Sequence, residues 1–310
     1  MTSQSAHRDP WASSLALKNY KFTKLNCYRL MSHNNHTNST GKVAYLGPEG
    51  TYSQLAAFEF FGGDVELLKC ASIDDVFSAV ESKRAAYGVV PVENSTEGAI
   101  NNTQDCLVDS STKIVGEQIV SIEHSLLVSE NTSKSDIKKI VSHKQSLAQC
   151  RGYLAKNYPE AEQVEFPSNA KAAIRAQVDS STAAIASELA GRLYNLQSLD
   201  RRIQDKANNR TRFLVLALED TATTGSDKTS ILVYTKNKPG ALFRVLEPFE
   251  SYQLSLTKIE TRPSKKEAWE YVFFIDFQGH AEDEATKKLF AALVQGGVEV
   301  KLLGSYPLFK

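Results

Sequence analysis

Four short polar runs carry the residue types that could do chemistry. They are Gly47-Pro48-Glu49-Gly50-Thr51-Tyr52-Ser53, Glu93-Asn94-Ser95-Thr96-Glu97-Gly98, Val141-Ser142-His143-Lys144-Gln145 and Asn208-Asn209-Arg210-Thr211-Arg212-Phe213. Hydroxyls, amides and a few charges in one place suit the capture of a small polar acid. The glycines of the first run hint at a phosphate loop, but the lysine and spacing of that motif are missing. Gly50 reads as a turn residue and Thr51 as a helix cap. Ser142 beside His143 invites a nucleophile–base pair, yet no third member and no GxSxG elbow accompany it, which argues against a serine hydrolase. Glu93-Asn94 reads as a catalytic pair or as a capping pair, and Asn209-x-Thr211-Arg212 as a turn entering a strand. Cys27, Cys70, Cys106 and Cys150 stand far apart without a CxxC pair. Neither a zinc ribbon nor a disulfide framework is expected, and the thiols read as reduced.

Strands and helices must bring these runs together. Apolar runs predict strands at 43–46, 87–92, 114–120, 124–128, 163–166, 183–186 and 213–218. Helical periodicity predicts helices over 51–61, 146–156 and 169–177, and Ser72-x-x-Asp75 resembles a capping box opening another through Val80. This alternation implies βα units on a largely parallel sheet. Ligands of such sheets bind beyond the carboxyl ends of the strands, where the polar runs fall, and helix starts there attract an anion. A polar, turn-prone stretch over 219–227 then precedes a shorter unit. Its strands are expected at 230–234, 255–260, 269–277 and 298–303, and its helices at 239–251 and 284–295. That β-α-β-β-α-β order is ferredoxin-like.

Composition narrows the class. The 310 residues suggest two or three domains, and 42% hydrophobic with 23% charged residues is a globular balance. Lysine plus arginine and aspartate plus glutamate number 36 each. A neutral chain lacks the electrostatic footprint of a dedicated nucleic-acid binder. No stretch approaches the ~20 apolar residues of a membrane helix. The first 41 residues carry five basic residues and one acid. They read as a disordered leader, as the product of an upstream start codon (Met31 is the second methionine), or as an organellar transit peptide. The expected compartment is the cytoplasm, or a plastid or other organelle if the leader is a targeting segment.

Together, the four runs resemble the prephenate dehydratase family in order and approximate spacing from Lys42 to Lys310. The resemblance extends to Val90-Pro91-Val92 and Ala99-Ile100 around the second run, Ser146-Leu147-Ala148-Gln149-Cys150 after the third, and Ile203-Gln204-Asp205 before the fourth. The last unit is similar to an ACT domain, with Gly240-Ala241-Leu242 and Glu260-Thr261-Arg262-Pro263, where the family usually has serine at the Thr261 position.

The resemblance implies an α/β fold: a two-lobed body like a periplasmic binding protein (42–218, second lobe about 121–199), a linker (219–227) and an ACT domain (228–310). The active site would lie between the lobes, where Thr211 returns to meet Asn94. The implied reaction is decarboxylation of prephenate with loss of its ring hydroxyl. Thr211 is then the essential residue, with Glu93, Asn94 and Gln149 in the pocket. Thr51, Ser95 and Ser142 supply further hydroxyls. Arg212 either clamps a carboxylate or points away along its strand. No metal or organic cofactor is implied. Phenylalanine is the implied effector, held by Gly240, Ala241, Leu242 and the Glu260-Thr261-Arg262-Pro263 turn across an ACT–ACT interface. A homodimer or homotetramer follows, with no nucleic-acid or membrane partner. Arogenate dehydratase and a non-catalytic small-acid-binding protein share the fold and are the rival readings. Only 41 residues precede Lys42, so a monofunctional chain is expected. Removing everything after Lys228 is expected to leave a weakly active, unresponsive body.

Overall fold

The computed structural model describes residues 41–63, 65–235, 238–263 and 271–309, so the leader reading lies outside the described residues. The first lobe is built from β1 (Val43–Leu46), α1 (Tyr52–Phe61), β2 (Leu67–Cys70), α2 (Ile73–Glu81), β3 (Tyr87–Asn94), β4 (Gly98–Ala99), α3 (Asn101–Asp109) and β5 (Lys113–Ser121). The chain then crosses to a second lobe. It comprises β6 (Ser125–Val128), β7 (Lys139–Ser142), α4 (Lys144–Gln149), α5 (Arg151–Asn157), β8 (Glu162–Glu165), α6 (Asn169–Gln177), β9 (Thr182–Ala186), α7 (Glu188–Leu193) and β10 (Gln197–Arg201). It returns as β11 (Arg210–Ala217), which inserts between β3 and β5.

The sheets are mixed rather than largely parallel. In the first, ordered β2-β1-β3-β11-β5, β1 runs parallel to β2 and β3, whereas β11 is antiparallel to both neighbours. A returning segment comes from the other lobe, so it need not obey the βα crossover rule that makes neighbours parallel. The second sheet, β10-β6-β9-β7-β8, is antiparallel at β6 and parallel around β7. Its central strand β9, Thr-Ala-Ala-Ile-Ala, is wholly buried, and Ala170, Ala172, Ala173 and Ala176 of α6 are inaccessible beside it. Small side chains on both elements let helix and strand approach closely. The expected capping box is present, with Asp75 N donating to Ser72 Oγ and Ser72 N to the Asp75 carboxylate. The single helix expected over 146–156 is two. It breaks at Cys150, and the carboxylate of Asp205 caps the new start by accepting from Gly152 N (2.8 Å) and Tyr153 N (2.9 Å).

The third unit has β12 (Asp227–Thr235), α8 (Ala241–Ser251), β13 (Leu256–Pro263), β14 (Tyr271–Gln278), α9 (Glu284–Gln295) and β15 (Glu299–Pro307). Its antiparallel sheet is ordered β13-β14-β12-β15, the expected β-α-β-β-α-β plan. One face, with Ile231, Val233, Phe273, Ile275 and Phe277, packs on Val245 and Phe249 of α8 and Leu289 and Leu293 of α9. The other face lies on the body: Leu232, Val272, Phe274, Leu303 and Tyr306 share a core with Val90, Val92, Leu107, Ile114, Leu214 and Leu216. A Cβ on Gly304 would fall 2.1 Å from Ile114 O, so only glycine lets β15 pass over β5. The connecting stretch is ordered too. The Asp227 carboxylate accepts from Thr223 Oγ1 (3.0 Å), Thr224 N (2.9 Å), Thr224 Oγ1 (2.6 Å) and Gly225 N (3.0 Å). A body cut after Lys228 would lose five of the eighteen buried residues of this core, which argues against the weakly active body expected of that truncation.

Candidate active site

A cleft of about 920 Å³ separates the lobes. The β1–α1 loop, Asn94, Thr211 and Phe213 line it from the first lobe, and His124, Gln149 and the starts of α4 and α6 from the second. Two helix starts shape it for an anion. Thr51 is spent as the cap of α1, accepting from Gln54 N (3.4 Å) and donating to Leu46 O (3.0 Å). The first-turn amides of Tyr52 and Ser53, both lining residues, are left as donors. On α6, Ser168 Oγ accepts from Lys171 N (3.1 Å). Asn169 Oδ1 accepts from His143 N (3.2 Å) and Ser146 Oγ (3.0 Å). A backbone amide can only donate, so this contact fixes which end of the Asn169 amide is oxygen and frees its NH₂ group. Lys69 and Lys171 add two cations to the lining. Helix starts and lysines together favour a carboxylate ligand.

Polarity in the centre of the cleft follows from two backbone amides. Thr96 N (2.9 Å) and Glu97 N (3.1 Å) both donate to Asn94 Oδ1, so Asn94 Nδ2 faces the other way. It donates to Asn209 Oδ1 (2.9 Å) and to Thr211 Oγ1 (2.9 Å). Asn209 Nδ2 must then donate to Gln149 Oε1 (2.9 Å). Gln149 Oε1 is therefore an acceptor, and His124 Nε2, 2.9 Å away, carries a proton. The lone pair of His124 Nδ1 is left facing Tyr52 OH at 3.1 Å, and that hydroxyl donates to Glu123 O at 2.6 Å. Burial lowers the His124 pKa against a smaller opposing pull from the Gln149 bond, so the ring is neutral at neutral pH. Thr211 accepts from Asn94, and its own proton has no acceptor among the described residues. That proton is available to the cleft.

Asn94, Gln149 and Thr211 thus converge, and Thr51 joins them as a lining residue. Four other expected residues do not line the cleft. Ser142 is fully buried, its hydroxyl shared between Ile185 O (2.6 Å) and Asn169 Oδ1 (3.0 Å). Ser95 ties the end of β3 to the start of β11, donating to Asn208 O and accepting from Arg210 N. Glu93 and Arg212 point to the opposite side of the sheet. Arg212 Nη1 reaches Asp276 (2.8 Å) and buried Glu117 (3.2 Å), and Glu93 meets Lys258 at 2.9 Å. Of the two orientations open to Arg212, the one away from the cleft is observed, and it makes no carboxylate clamp there. A β-bulge explains Glu93. Phe213 pairs with Pro91 and Arg212 with Glu93, leaving Val92 as the extra residue. Val92 and Glu93 both face the third unit, and Asn94 is turned into the cleft.

In the third unit, Gly240 is the left-handed N-cap of α8 (φ 75°) and Ala241 its first residue, followed by half-exposed Leu242. The 260–263 segment is strand, not turn. Glu260 meets Lys258 (3.0 Å) and Arg262 meets Asp105 (2.8 Å), both towards the body, while Thr261 and Pro263 are exposed. Sequence reasoning passed over His124, Tyr52 and Asn209 as site residues. Tyr52 and Asn209 stand within the first and fourth polar runs, but the partners of the His124 ring lie 25 and 72 positions away and left no local signal.

The prephenate dehydratase family model matches residues 43–221, and the ACT domain model residues 229–295. A bifunctional chorismate mutase/prephenate dehydratase of Aquifex aeolicus is 50% identical over 266 residues, which span 86% of this chain and 73% of that one. A prephenate dehydratase of Methanocaldococcus jannaschii is 37% identical over 86% of this chain and 98% of its own. The crystal structure of prephenate dehydratase from Arthrobacter aurescens in complex with L-Phe superposes with a TM-score of 0.79 at 31% identity, covering 86% and 90% of the two chains. With a two-lobed body, a cleft built around Asn94 and Thr211, and an ACT unit packed behind it, this chain belongs to the prephenate dehydratase family.

Proposed function

We propose that the chain converts prephenate to phenylpyruvate, carbon dioxide and water. The observation that carries this reading is the Thr211 hydroxyl, whose oxygen is held by Asn94 and whose proton is left for the cleft. In the reaction the bond to the ring carboxylate breaks and its electron pair becomes a ring double bond. The C–O bond to the ring hydroxyl breaks with its electron pair, and the departing hydroxide takes up one proton from solvent to become water. Aromatisation drives the step, so the protein must orient the dianion and assist hydroxide departure. The helix starts of α1 and α6, with Lys69 and Lys171, suit the two carboxylates. Thr211 donates a hydrogen bond to the leaving oxygen, and the Asn94 amide keeps that donor aimed. A positioned donor of this kind contributes about 10²–10⁴-fold.

Ultraviolet detection of phenylpyruvate from prephenate tests the activity directly, with arogenate as the parallel substrate. Turnover of arogenate alone would move the assignment to arogenate dehydratase, and binding without turnover of either would favour a solute binder. Thr211→Val, which keeps shape and removes the hydroxyl, should lose kcat by that factor with KM nearly unchanged.

Phenylalanine is the proposed effector, acting through the ACT unit of a homodimer or homotetramer. The ACT match over 229–295 and the L-Phe complex of the Arthrobacter relative support this. Calorimetry should detect phenylalanine binding to the intact chain, and light scattering an oligomer at micromolar concentration. Absence of binding would end the regulatory reading and leave the dehydratase reading intact.

A further inference from the structure

Behind the cleft lies a run of charges that the reaction does not use. The antiparallel pair β3–β11 sets Asn94 opposite Thr211 and Glu93 opposite Arg212. The first pair faces the cleft, and the second faces the ACT sheet. There Lys258 of β13 meets Glu93 at 2.9 Å, and Asp276 of β14 meets Arg212 at 2.8 Å. Lys258 and Asp276 are themselves opposite one another in the ACT ladder. Asp276 is held in turn by Ser230 Oγ at 2.6 Å, and Arg212 also reaches Glu117. Two facing strand pairs are thus cross-linked by two ion pairs, one on each strand of the catalytic wall.

The bulge gives this arrangement a consequence. Strict alternation from Pro91, a cleft residue, would point Val92 away, Glu93 into the cleft and Asn94 out of it. The extra residue at Val92 reverses the last two. A bulge can relocate by one residue along a strand if nothing holds it, and here the residue next to it is tied to the ACT sheet. We propose that Glu93 and Arg212 are positioning residues. The Lys258–Glu93 and Asp276–Arg212 pairs pin the bulge, and so keep the Asn94 amide and the Thr211 hydroxyl aimed into the cleft. The ACT sheet is on this view the back wall of the active site. It also places β13, which carries residues 260–263, one side chain away from the catalytic wall. The proposal rests on the dehydratase reading for its kinetic consequence, but not for its structural one.

The test uses the full-length chain with Lys258→Met and Lys258→Arg, and Asp276→Asn as the second site. Lys258→Met should lower kcat at least about tenfold with KM within about threefold, because aim rather than binding is lost. Hydrogen exchange gives a readout independent of substrate. The Thr96 and Glu97 amides donate to Asn94 Oδ1, so they should lose protection in Lys258→Met and regain it in Lys258→Arg. Asp276→Asn should act in the same direction and decides the matter if Lys258→Met fails to fold. Unchanged protection of Thr96 and Glu97 in a folded variant overturns the proposal, whatever happens to kcat. Lost protection in a chain whose wild type does not turn over prephenate would support the pinning and remove the dehydratase reading.

Discussion

Asn94→Asp keeps the shape of the side chain and replaces one NH₂ group by oxygen. With Oδ1 still held by the Thr96 and Glu97 amides, the new oxygen would sit 2.9 Å from Asn209 Oδ1 and 2.9 Å from Thr211 Oγ1, where the amide now donates. Each buried acceptor stripped of its donor costs about 1–3 kcal/mol. Thr211 escapes by rotating its proton onto the carboxylate, which removes one of the two penalties. Asn209 has no such escape. Turning its NH₂ towards the carboxylate would set its oxygen against Gln149 Oε1, and the reversal would run on to His124. The expected loss of stability is therefore a single penalty, about 1–3 kcal/mol. The larger effect is catalytic, because the Thr211 proton now points away from the leaving hydroxyl. Turnover should fall by about 10²–10⁴, or ~2.7–5.5 kcal/mol of transition-state stabilisation, with KM little changed. Burial between acceptors raises the pKa of the introduced carboxyl. Protonation should then restore part of the loss, so the variant's kcat should rise as pH falls. Steady-state kinetics from about pH 5 to 8 read both effects. A variant with kcat within about threefold of wild type across that range would refute the role assigned to the Asn94–Thr211 bond.

Gly304→Ala should destabilise the whole chain by about 1–3 kcal/mol or more, since the added methyl would lie 2.1 Å from Ile114 O and must push β15 off β5. An unchanged melting temperature would contradict this. His124 has its pKa lowered by burial from an ordinary value of 6.5. Its stabilising share is complete above that ordinary value and is lost as pH falls through the lowered one, with a slope of at most about 1.4 kcal/mol per pH unit. Chemical denaturation of wild type and His124→Gln between about pH 5 and 7 should show this slope only in wild type.

Elements whose causes are local were legible in the sequence. Helix α6 spans the expected 169–177 because its alanine stripe and its Ser168 cap are both written within ten positions, and the Ser72–Asp75 box is equally local. The convergence of Asn94, Gln149 and Thr211 was legible through family resemblance, since 117 positions separate the first and last. What escaped depends on partners far along the chain. The helix break at Cys150 is stabilised by Asp205, and the choice between the two orientations left open for Arg212 is made by Asp276 and Glu117. Glu93 was misplaced for a related reason. A bulge is a property of two strands in register, and β3 taken alone shows an unbroken apolar run that ends in Glu-Asn. The polar stretch over 219–227 has the composition of a flexible tether, and the nest of donors around Asp227, with the Thr221 hydroxyl donating to Ser305 O, shows otherwise.

The core shared between the ACT sheet and the body bears on how such chains diversify. A regulatory module strung on a tether can be traded between proteins by recombination at the tether, because nothing else has to match. Here Leu232, Val272, Phe274, Leu303 and Tyr306 complete the packing of β3, β5 and β11, and Gly304 admits the crossing with Ile114. A foreign ACT unit joined at the same point would arrive without those complementary surfaces and would leave the body's apolar residues facing water. The two halves must therefore be inherited as a matched pair, and substitutions on one side of the seam should be answered by substitutions on the other.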